Sequence, residues 1–136
     1  MPHEALEIEK HFPVLTPEMG MEALPWTGGM EFYENMQSHF GPFENHVLIA
    51  CHRFNEAWST WECHPKGDEL VLLLSGRADM ALLKDGAVDT ITLDTPGAYL
   101  IVPRGCWHTA LDADDAQMLF VTPGEGTENL EAPPGI

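Results

Sequence analysis

Basic side chains are scarce in this sequence of 136 residues, where six Lys and Arg stand against 22 Asp and Glu. The formal net charge is −16 with histidine counted as neutral. A surface of that sign repels nucleic-acid phosphates and anionic lipid headgroups. We therefore expect neither nucleic acid nor a membrane as a partner, and the acidity alone indicates no particular chemistry.

Cysteines and long apolar runs are scarce as well. Cys51, Cys63 and Cys106 are odd in number and scattered, which argues against a disulfide framework and favours reduced thiols. The strongest apolar run, residues 70–74, is far shorter than the roughly 20 residues of a membrane-spanning helix. The first residues carry acids where a signal peptide would carry basic residues. We expect a soluble, cytoplasmic protein.

Long helical periodicity is missing from residue 46 onward, where short runs of aliphatic, aromatic and β-branched residues alternate with turn signals. The Asp85-Gly86 pair between two such runs predicts a two-residue hairpin. Eight short strands at close spacing predict an all-β fold, either a sandwich or a barrel. The predicted strands are residues 47–54, 59–64, 69–75, 78–83, 87–93, 98–102, 107–111 and 117–121.

The first 45 residues lack sustained alternation of apolar and polar positions. We expect residues 1–45 to form an arm of short helices or coil, with helical turns at residues 3–11 and 31–38, packed on the barrel or on a dimer partner. Residues 46–122 then form one barrel domain, and residues 123–136, rich in Gly and Pro, form a loose tail. The arm favours a homodimer.

Four side chains in the strand region are typical metal donors. On a strand over residues 59–64, Glu62 and His64 share one face, because successive side chains alternate. We expect a hairpin through residues 65–68 to place Glu69 beside them, and His108 begins a strand after a Pro-Arg-Gly turn. Two imidazoles and two carboxylates are a candidate donor set for Mn(II), Fe(II), Ni(II) or Zn(II).

Two stretches of the sequence resemble the paired motifs of the cupin superfamily. The first motif, G-x5-H-x-H-x3,4-E-x6-G, is matched by His64, Glu69 and Gly76. The second, G-x5-P-x-G-x2-H-x3-N, is matched by residues Gly97, Pro103, Gly105 and His108. The resemblance covers residues from about 57 to 123, and the arm has no motif to match.

The cupin resemblance implies an antiparallel jelly-roll barrel, a double-stranded β-helix. It also implies one divalent metal ion held by Glu62, His64, Glu69 and His108. Glu62 departs from the family pattern, which has a histidine there. A carboxylate at that position either favours harder ions such as Mn(II) and Fe(II) or marks a site that holds metal weakly. Glu62 is also our candidate catalytic residue, as a general base beside the metal.

Alternatives remain open at this level. A Cys/His zinc site using Cys63 and Cys106 is disfavoured, because Cys63 and His64 point to opposite faces of one strand. His52 lies on a strand that is apolar on both faces, so the sequence does not fix its direction. Arg53 is the one basic residue considered for holding an anionic substrate. The fold permits three functions: a metal-dependent dioxygenase, isomerase or lyase acting on a small oxygenated molecule, a non-catalytic module that binds or senses a small ligand, or a degenerate metal-free barrel.

Overall fold

The computed structural model describes residues 3–135, which contain nine β-strands and one α-helix. The strands pair antiparallel, so the predicted all-β antiparallel class is confirmed. No helix within residues 3–135 is long and apolar enough to span a membrane. The elements are β1 (His11–Leu15), β2 (Met21–Pro25), α1 (Gly29–Phe40), β3 (Val47–Phe54), β4 (Trp61–Cys63), β5 (Glu69–Lys84), β6 (Ala87–Leu93), β7 (Tyr99–Val102), β8 (His108–Thr122) and β9 (Glu128–Leu130).

Two long strands, β5 and β8, run through both sheets of the fold. Their paired segments at residues 70–73 and 118–121 belong to a first sheet of order β2-β1-β3-β8-β5-β7. Their segments at residues 77–82 and 108–114 belong to a second sheet of order β6-β5-β8-β4-β9. Among residues 3–135 the pairing does not close into a ring. The predicted barrel is therefore a two-sheet jelly roll with open edges.

The bend between the two sheets lies at Gly76. The sequence predicted separate strands on either side of this bend, and that prediction was wrong for both long strands. Gly76 has φ of 80°, and a Cβ there would lie 2.1 Å from the backbone oxygen of Asp115. The register shifts on both sides of Ser75. Such irregularities let a strand change sheets without ending, so a positive-φ glycine does not mark a turn here.

The hairpin between β5 and β6 confirms the turn predicted at Asp85-Gly86. Lys84 pairs with Ala87, which leaves two residues in the loop. Asp85 and Gly86 have φ of 51° and 79°. Two successive positive φ angles define the tight hairpin turn whose twist matches that of the flanking strands.

An apolar core fills the space between the two sheets, and we call it the interior cluster. Inward side chains alternate with outward ones along β5 and β8, as a strand period of two requires. At one end of this cluster the inward positions change from apolar to polar. The interior cluster consists of Val71, Leu73, Ala78, Met80, Leu82, Leu93, Leu100, Val102, Ala110, Ala113, Ala116, Met118 and Phe120.

The arm differs in part from its prediction as helix and coil. Residues 11–25 form the β1–β2 hairpin, and β1 pairs with β3 at the edge of the first sheet. The missed signal was the alternation in β1, where Phe12 and Val14 are buried between partly exposed neighbours. The turn predicted at residues 31–38 lies inside α1, and residues 3–11 contain a single turn ending at His11.

The arm and β3 build a second core, the arm cluster. Phe12 stacks on Trp26 with ring centroids 5.0 Å apart and meets Phe32 edge-on at 5.3 Å. These rings and α1 close one side of the jelly roll. The arm cluster consists of Phe12, Val14, Phe32, Phe43, Leu48, Ala50 and Cys51.

The expected tail contains an ordered strand. β9 pairs with β4, with Glu62 opposite Asn129. This pairing ties residues 128–130 to the second sheet, next to the strand that carries Glu62 and is followed directly by His64. Residues 1, 2 and 136 of the expected arm and tail lie outside the described part of the chain.

Candidate metal centre

The structure brings the four predicted donors together at one end of the interior cluster. Glu62, in β4, and His64, the residue that follows the end of β4, both line the cavity there, so they point to the same side as predicted. Glu69 begins β5 and His108 begins β8, and both side chains are buried. Glu62 is directly opposite His108 in the β4–β8 pairing.

The expected β4–β5 hairpin does not exist, because β4 pairs with β8 and β9 within the described residues. Residues 64–68 instead cross from the second sheet to the first. Glu69 therefore faces Glu62 and His64 across the interior rather than along one sheet. Glu69 lies close to Glu62 and His64 as predicted, but the crossing between the sheets brings it there rather than the predicted hairpin.

Glu69 contacts both imidazoles. Its Oε2 lies 3.2 Å from His64 Nε2, and its Oε1 lies 3.0 Å from His108 Nε2. Glu62 Oε1 lies farther away, 3.5 Å from His64 Nε2 and 3.9 Å from His108 Nε2. Donor atoms of Glu62, His64 and His108 all lie within 4.8 Å of one another. The arrangement is a compact set of two nitrogen and two carboxylate donors.

Each imidazole uses its other nitrogen to bind the scaffold. His108 Nδ1 lies 3.1 Å from the Cys106 carbonyl oxygen, which can only accept, so His108 donates through Nδ1. His64 Nδ1 lies 2.8 Å from Thr127 Oγ1, and that hydroxyl donates to the Gly124 carbonyl. The Thr127 oxygen therefore accepts the His64 Nδ1 proton. When either ring is neutral, its one proton therefore lies on Nδ1. Its Nε2 atom then faces the carboxylates without a proton to donate.

In the metal-free chain, His64 and Glu69 stabilise each other's charged forms. Burial opposes a charge on His64, but Glu62 and Glu69 outweigh it and raise the His64 pKa to about 9. Burial likewise opposes ionisation of Glu69, but His108 and His64 lower the Glu69 pKa to about 2. At neutral pH the metal-free chain therefore holds a cationic His64 beside the Glu69 carboxylate, and a metal ion must displace the His64 proton before that ring can coordinate it.

The donor set fits a divalent ion. Ligand atoms about 2.1 Å from an ion are about 3.0 Å apart at right angles and about 4.2 Å apart when opposite. The four nitrogen–oxygen separations, from 3.0 to 3.9 Å, fall within this range. His64 Nε2, Glu69 Oε1 and His108 Nε2 are buried without a hydrogen-bond partner. An ion among them would satisfy all three atoms.

A cavity of about 700 Å³ opens beside the donor set. Its walls include side chains from α1, β3 and the loop before β4. A volume of this size suits a small organic ligand. Glu62 lies at the rim, with 32% of its side chain exposed, whereas Glu69 is 3% exposed. The two carboxylates therefore differ in their access to a molecule in the cavity.

The structure also places the residues that the sequence left open. His52 lines the cavity and meets Phe12 edge-on at 5.4 Å, and burial lowers its pKa. Arg53 is not among the residues that line the cavity, and it pairs with Asp115 at 3.0 Å. The three cysteines are free, and Cys63 and Cys106 are not among the cavity-lining residues.

Sequence reasoning missed two threonines that hold the centre. Thr122 donates to Glu69 Oε2 at 2.5 Å, and Thr127 accepts from His64. Thr122 ends β8, and Thr127 lies in the expected tail. Neither position belongs to the motifs quoted above, so the sequence carried no signal for them. The only related feature of the sequence was that Thr122, a polar residue, directly follows the last predicted strand.

No protein-family model matches the sequence, and no curated protein matches it significantly. Among solved structures, a cupin-2 domain protein from Shewanella frigidimarina is 19% identical over 57% of this chain and 70% of its own, with a TM-score of 0.48. A cupin superfamily protein from Desulfitobacterium hafniense is 29% identical over 56% of this chain and 65% of its own, with a TM-score of 0.47.

A third similar structure is hydroquinone 1,2-dioxygenase from a Sphingomonas species, with 4-hydroxybenzoate bound. It is 22% identical over 56% of this chain and 58% of its own, with a TM-score of 0.48. The solved structures that resemble this chain thus include cupins. With every TM-score below 0.5, each likeness describes part of the fold and carries nothing about activity.

Proposed function

We propose that this chain is a small metal-binding cupin that holds one divalent Mn, Fe, Ni or Zn ion through Glu62, His64, Glu69 and His108. The observation that carries the proposal is the pair of buried Nε2 atoms directed at Glu69. Both rings give their Nδ1 protons to scaffold oxygens, which leaves the facing nitrogens free to coordinate.

We further propose that the protein is a metal-dependent enzyme of the dioxygenase, isomerase or lyase class that acts on a small oxygenated molecule. A divalent ion in this centre would supply Lewis-acid or redox chemistry towards an oxygen atom of that molecule. Glu62, at the rim, is the side chain placed to take or give a proton at its carboxylate. His64 and His108 are held in fixed orientations by their scaffold partners.

The cavity also supports a second candidate, a non-catalytic module that binds or senses a small ligand. That candidate shares the centre and the cavity with the first and differs only in lacking turnover. A degenerate, metal-free barrel is the third, and it leaves three buried polar atoms without partners, which is costly. We therefore place the metal-binding candidates before it.

We also propose that the protein is a cytoplasmic homodimer. Its binding partner is a small molecule rather than nucleic acid or a membrane. The free cysteines fit a reducing compartment, and the acidic composition opposes binding to polyanions. Light scattering at micromolar concentration tests the dimer, and a strict monomer would contradict it.

Metal analysis of protein purified without an affinity tag tests the centre. We expect about one transition-metal equivalent per chain, and loss of that metal in His64→Ala and His108→Ala. His39→Ala is the matched control, because His39 pairs with Glu22 on the surface and should leave the metal content unchanged. Wild-type protein that stays metal-free after incubation with each of the four ions would refute the proposal.

Glu62 needs its own test, because it is either a ligand or a nearby base. If it is a ligand, Glu62→Gln weakens metal binding strongly, and Glu62→His keeps binding while shifting selectivity towards Ni(II), Cu(II) and Zn(II). If it is a base, Glu62→Gln leaves affinity nearly intact and removes turnover. Competitive metal titration of the three proteins distinguishes the two roles.

A further inference from the structure

The first sheet presents apolar side chains on its outer side, away from the interior cluster. Across β7, β5, β8 and β3, one row of paired outward residues consists of Ile101, Leu70, Val121 and Ile49. The next row consists of Tyr99, Leu72 and Leu119. Each of these side chains is at least partly exposed, and none belongs to Asp, Glu, Lys or Arg. We call these seven residues the outer apolar face.

The second sheet has the opposite character on its outer side. Between its buried positions, β5 and β8 pair Arg77 with Asp114 and Asp79 with Asp112. An antiparallel sheet with one side in water normally carries polar residues on that side, and the second sheet does so. Residues 70–74 of the first sheet are instead apolar at every position, the pattern of a strand that is covered on both sides. The outer apolar face therefore has the composition of a covered surface.

The outer apolar face has the size of the centre of a protein interface. Tyr99 and Ile101 are 60% and 48% exposed, so the face is open to solvent along β7. Four strands about 4.8 Å apart and side-chain rows about 7 Å apart give a footprint on the order of 300 Å². Standard interfaces bury about 800 Å² per partner, as an apolar centre with a polar rim around it. The apolar centre of such an interface fits on this face.

Charge favours a second copy of this chain as the partner. At a net charge of −16, two copies repel each other wherever their acidic surfaces meet. Pairing through the outer apolar face would turn the acidic outer sides of the two second sheets away from each other. A strongly basic partner would bind those acidic surfaces rather than this face. Two sheets pack face to face about 10 Å apart, and a two-fold axis lets the same patch serve on both copies.

We propose that two copies of this chain pair through the outer apolar face, first sheet against first sheet, about a two-fold axis. This inference deepens the homodimer of the proposed function and rests on it, but it moves the interface from the arm to the sheet. The arm packs on β3 of its own chain, so its rings need no partner to cover them. The cavity lies on the inner side of the first sheet, so each copy keeps a complete set of metal donors.

Ile101→Glu tests the interface by placing a carboxylate on the outer apolar face. Each two-fold dimer would bury two unpaired charges, so we expect the dimer dissociation constant to rise at least about tenfold. Leu111→Glu is the matched control, because Leu111 is 47% exposed and lies in the segment of β8 that belongs to the second sheet. This control adds the same charge and should dimerise as the wild type does. Sedimentation equilibrium measures all three proteins, and circular dichroism checks that each is folded.

The wild-type protein provides a second measurement that does not depend on how a variant folds. A soluble paramagnetic agent broadens the NMR signals of the methyl groups that solvent reaches. Ile101, Val88 and Leu111 are similarly exposed in the single chain, at 48%, 44% and 47%. In the dimer we expect the Ile101 methyl signals to be broadened clearly less than those of Val88 and Leu111.

The possible results separate the interface from the rest of the proposed function. Unchanged dimerisation of folded Ile101→Glu, or equal broadening of the Ile101 and Leu111 signals, would overturn the interface and leave the homodimer in place. A wild type that stays monomeric at micromolar concentration would overturn both, and the face would then belong to a different kind of partner. Dimeric wild-type protein that takes up no metal would refute the metal centre and leave the interface standing.

Discussion

The interior cluster and the arm cluster are both well-buried apolar cores, but they differ at their edges. All four partnerless buried polar atoms within residues 3–135 lie at the edge of the interior cluster, on Trp58, His64, Glu69 and His108. The arm cluster is made of apolar side chains that pack on one another. Unsatisfied polar groups are tolerated where a ligand completes them, so this contrast separates the proposed metal centre from the arm cluster. The arm cluster contributes only apolar wall to the cavity, through Phe43, Leu48 and Ala50.

The two cores also differ in how they are built. The interior cluster depends on two long strands that pass from sheet to sheet, whereas the arm cluster depends on rings from three short elements that meet β3. A change at the bend of the long strands should therefore affect the whole jelly roll. A change in the arm should cost stability and leave the metal donors in place.

The largest expected effect is at the bend. Gly76→Ala puts a Cβ 2.1 Å from the Asp115 oxygen at a positive φ, so we expect a loss of roughly 4 kcal/mol or more in the free energy of unfolding. Gly86→Ala is the control, because its φ of 79° is similar and nothing lies within 4 Å of the added Cβ. It should cost about 1–2 kcal/mol. Equal losses in urea denaturation would show that the close approach at Gly76 does not matter.

Phe12→Ala removes a fully buried ring from the arm cluster. We expect a loss of about 3–4 kcal/mol in unfolding free energy, from lost burial and the cavity left behind. The folded fraction should still bind one metal equivalent. Met30→Ala, at a residue that is 78% exposed, should change stability by less than about 0.5 kcal/mol. Metal loss from folded Phe12→Ala protein would break the separation between support and function.

Thr127→Val removes the oxygen that accepts the His64 Nδ1 proton. The ring would lose its fixed orientation, and we expect metal affinity to fall about 10- to 100-fold, the usual effect of losing such a partner. Thr92→Val is the control, because the Thr92 hydroxyl donates to Asp79 away from the centre. Competitive chelator titration measures both. An unchanged affinity would mean that the imidazole is held by its packing alone.

The smallest expected effect is the dependence of metal affinity on pH. The His64 pKa is raised to about 9 in the metal-free chain, so metal must displace a proton from His64 at pH 7. Apparent metal affinity should rise about tenfold per pH unit and level off near pH 9. In the metal-free protein, the stability from this group is complete below about pH 6.5 and is lost as the pH rises through about 9. A flat affinity profile from pH 6 to pH 8 would contradict the displacement.

Motif spacing predicted that His64, Glu69 and His108 lie close together, because each lies beside a turn that fixes where a strand begins or ends. It could not predict how Glu69 reaches them, since a corner between sheets and a hairpin carry the same turn residues at 65–68. His52 was undecidable because both faces of β3 are apolar. The arm was harder still, because its rings find one another only through contacts distant in sequence.

The hydrogen bond from His64 to Thr127 has a consequence for biosynthesis. His64 lies near the middle of the chain, and its partner lies 63 positions later. The ribosome adds residues in order, so the imidazole cannot adopt its final orientation until Thr127 has left the exit tunnel. Under the proposed function, metal capture by correctly oriented donors is therefore a step that follows synthesis. A nascent chain that stalls before Thr127 would carry donors that hold an ion poorly.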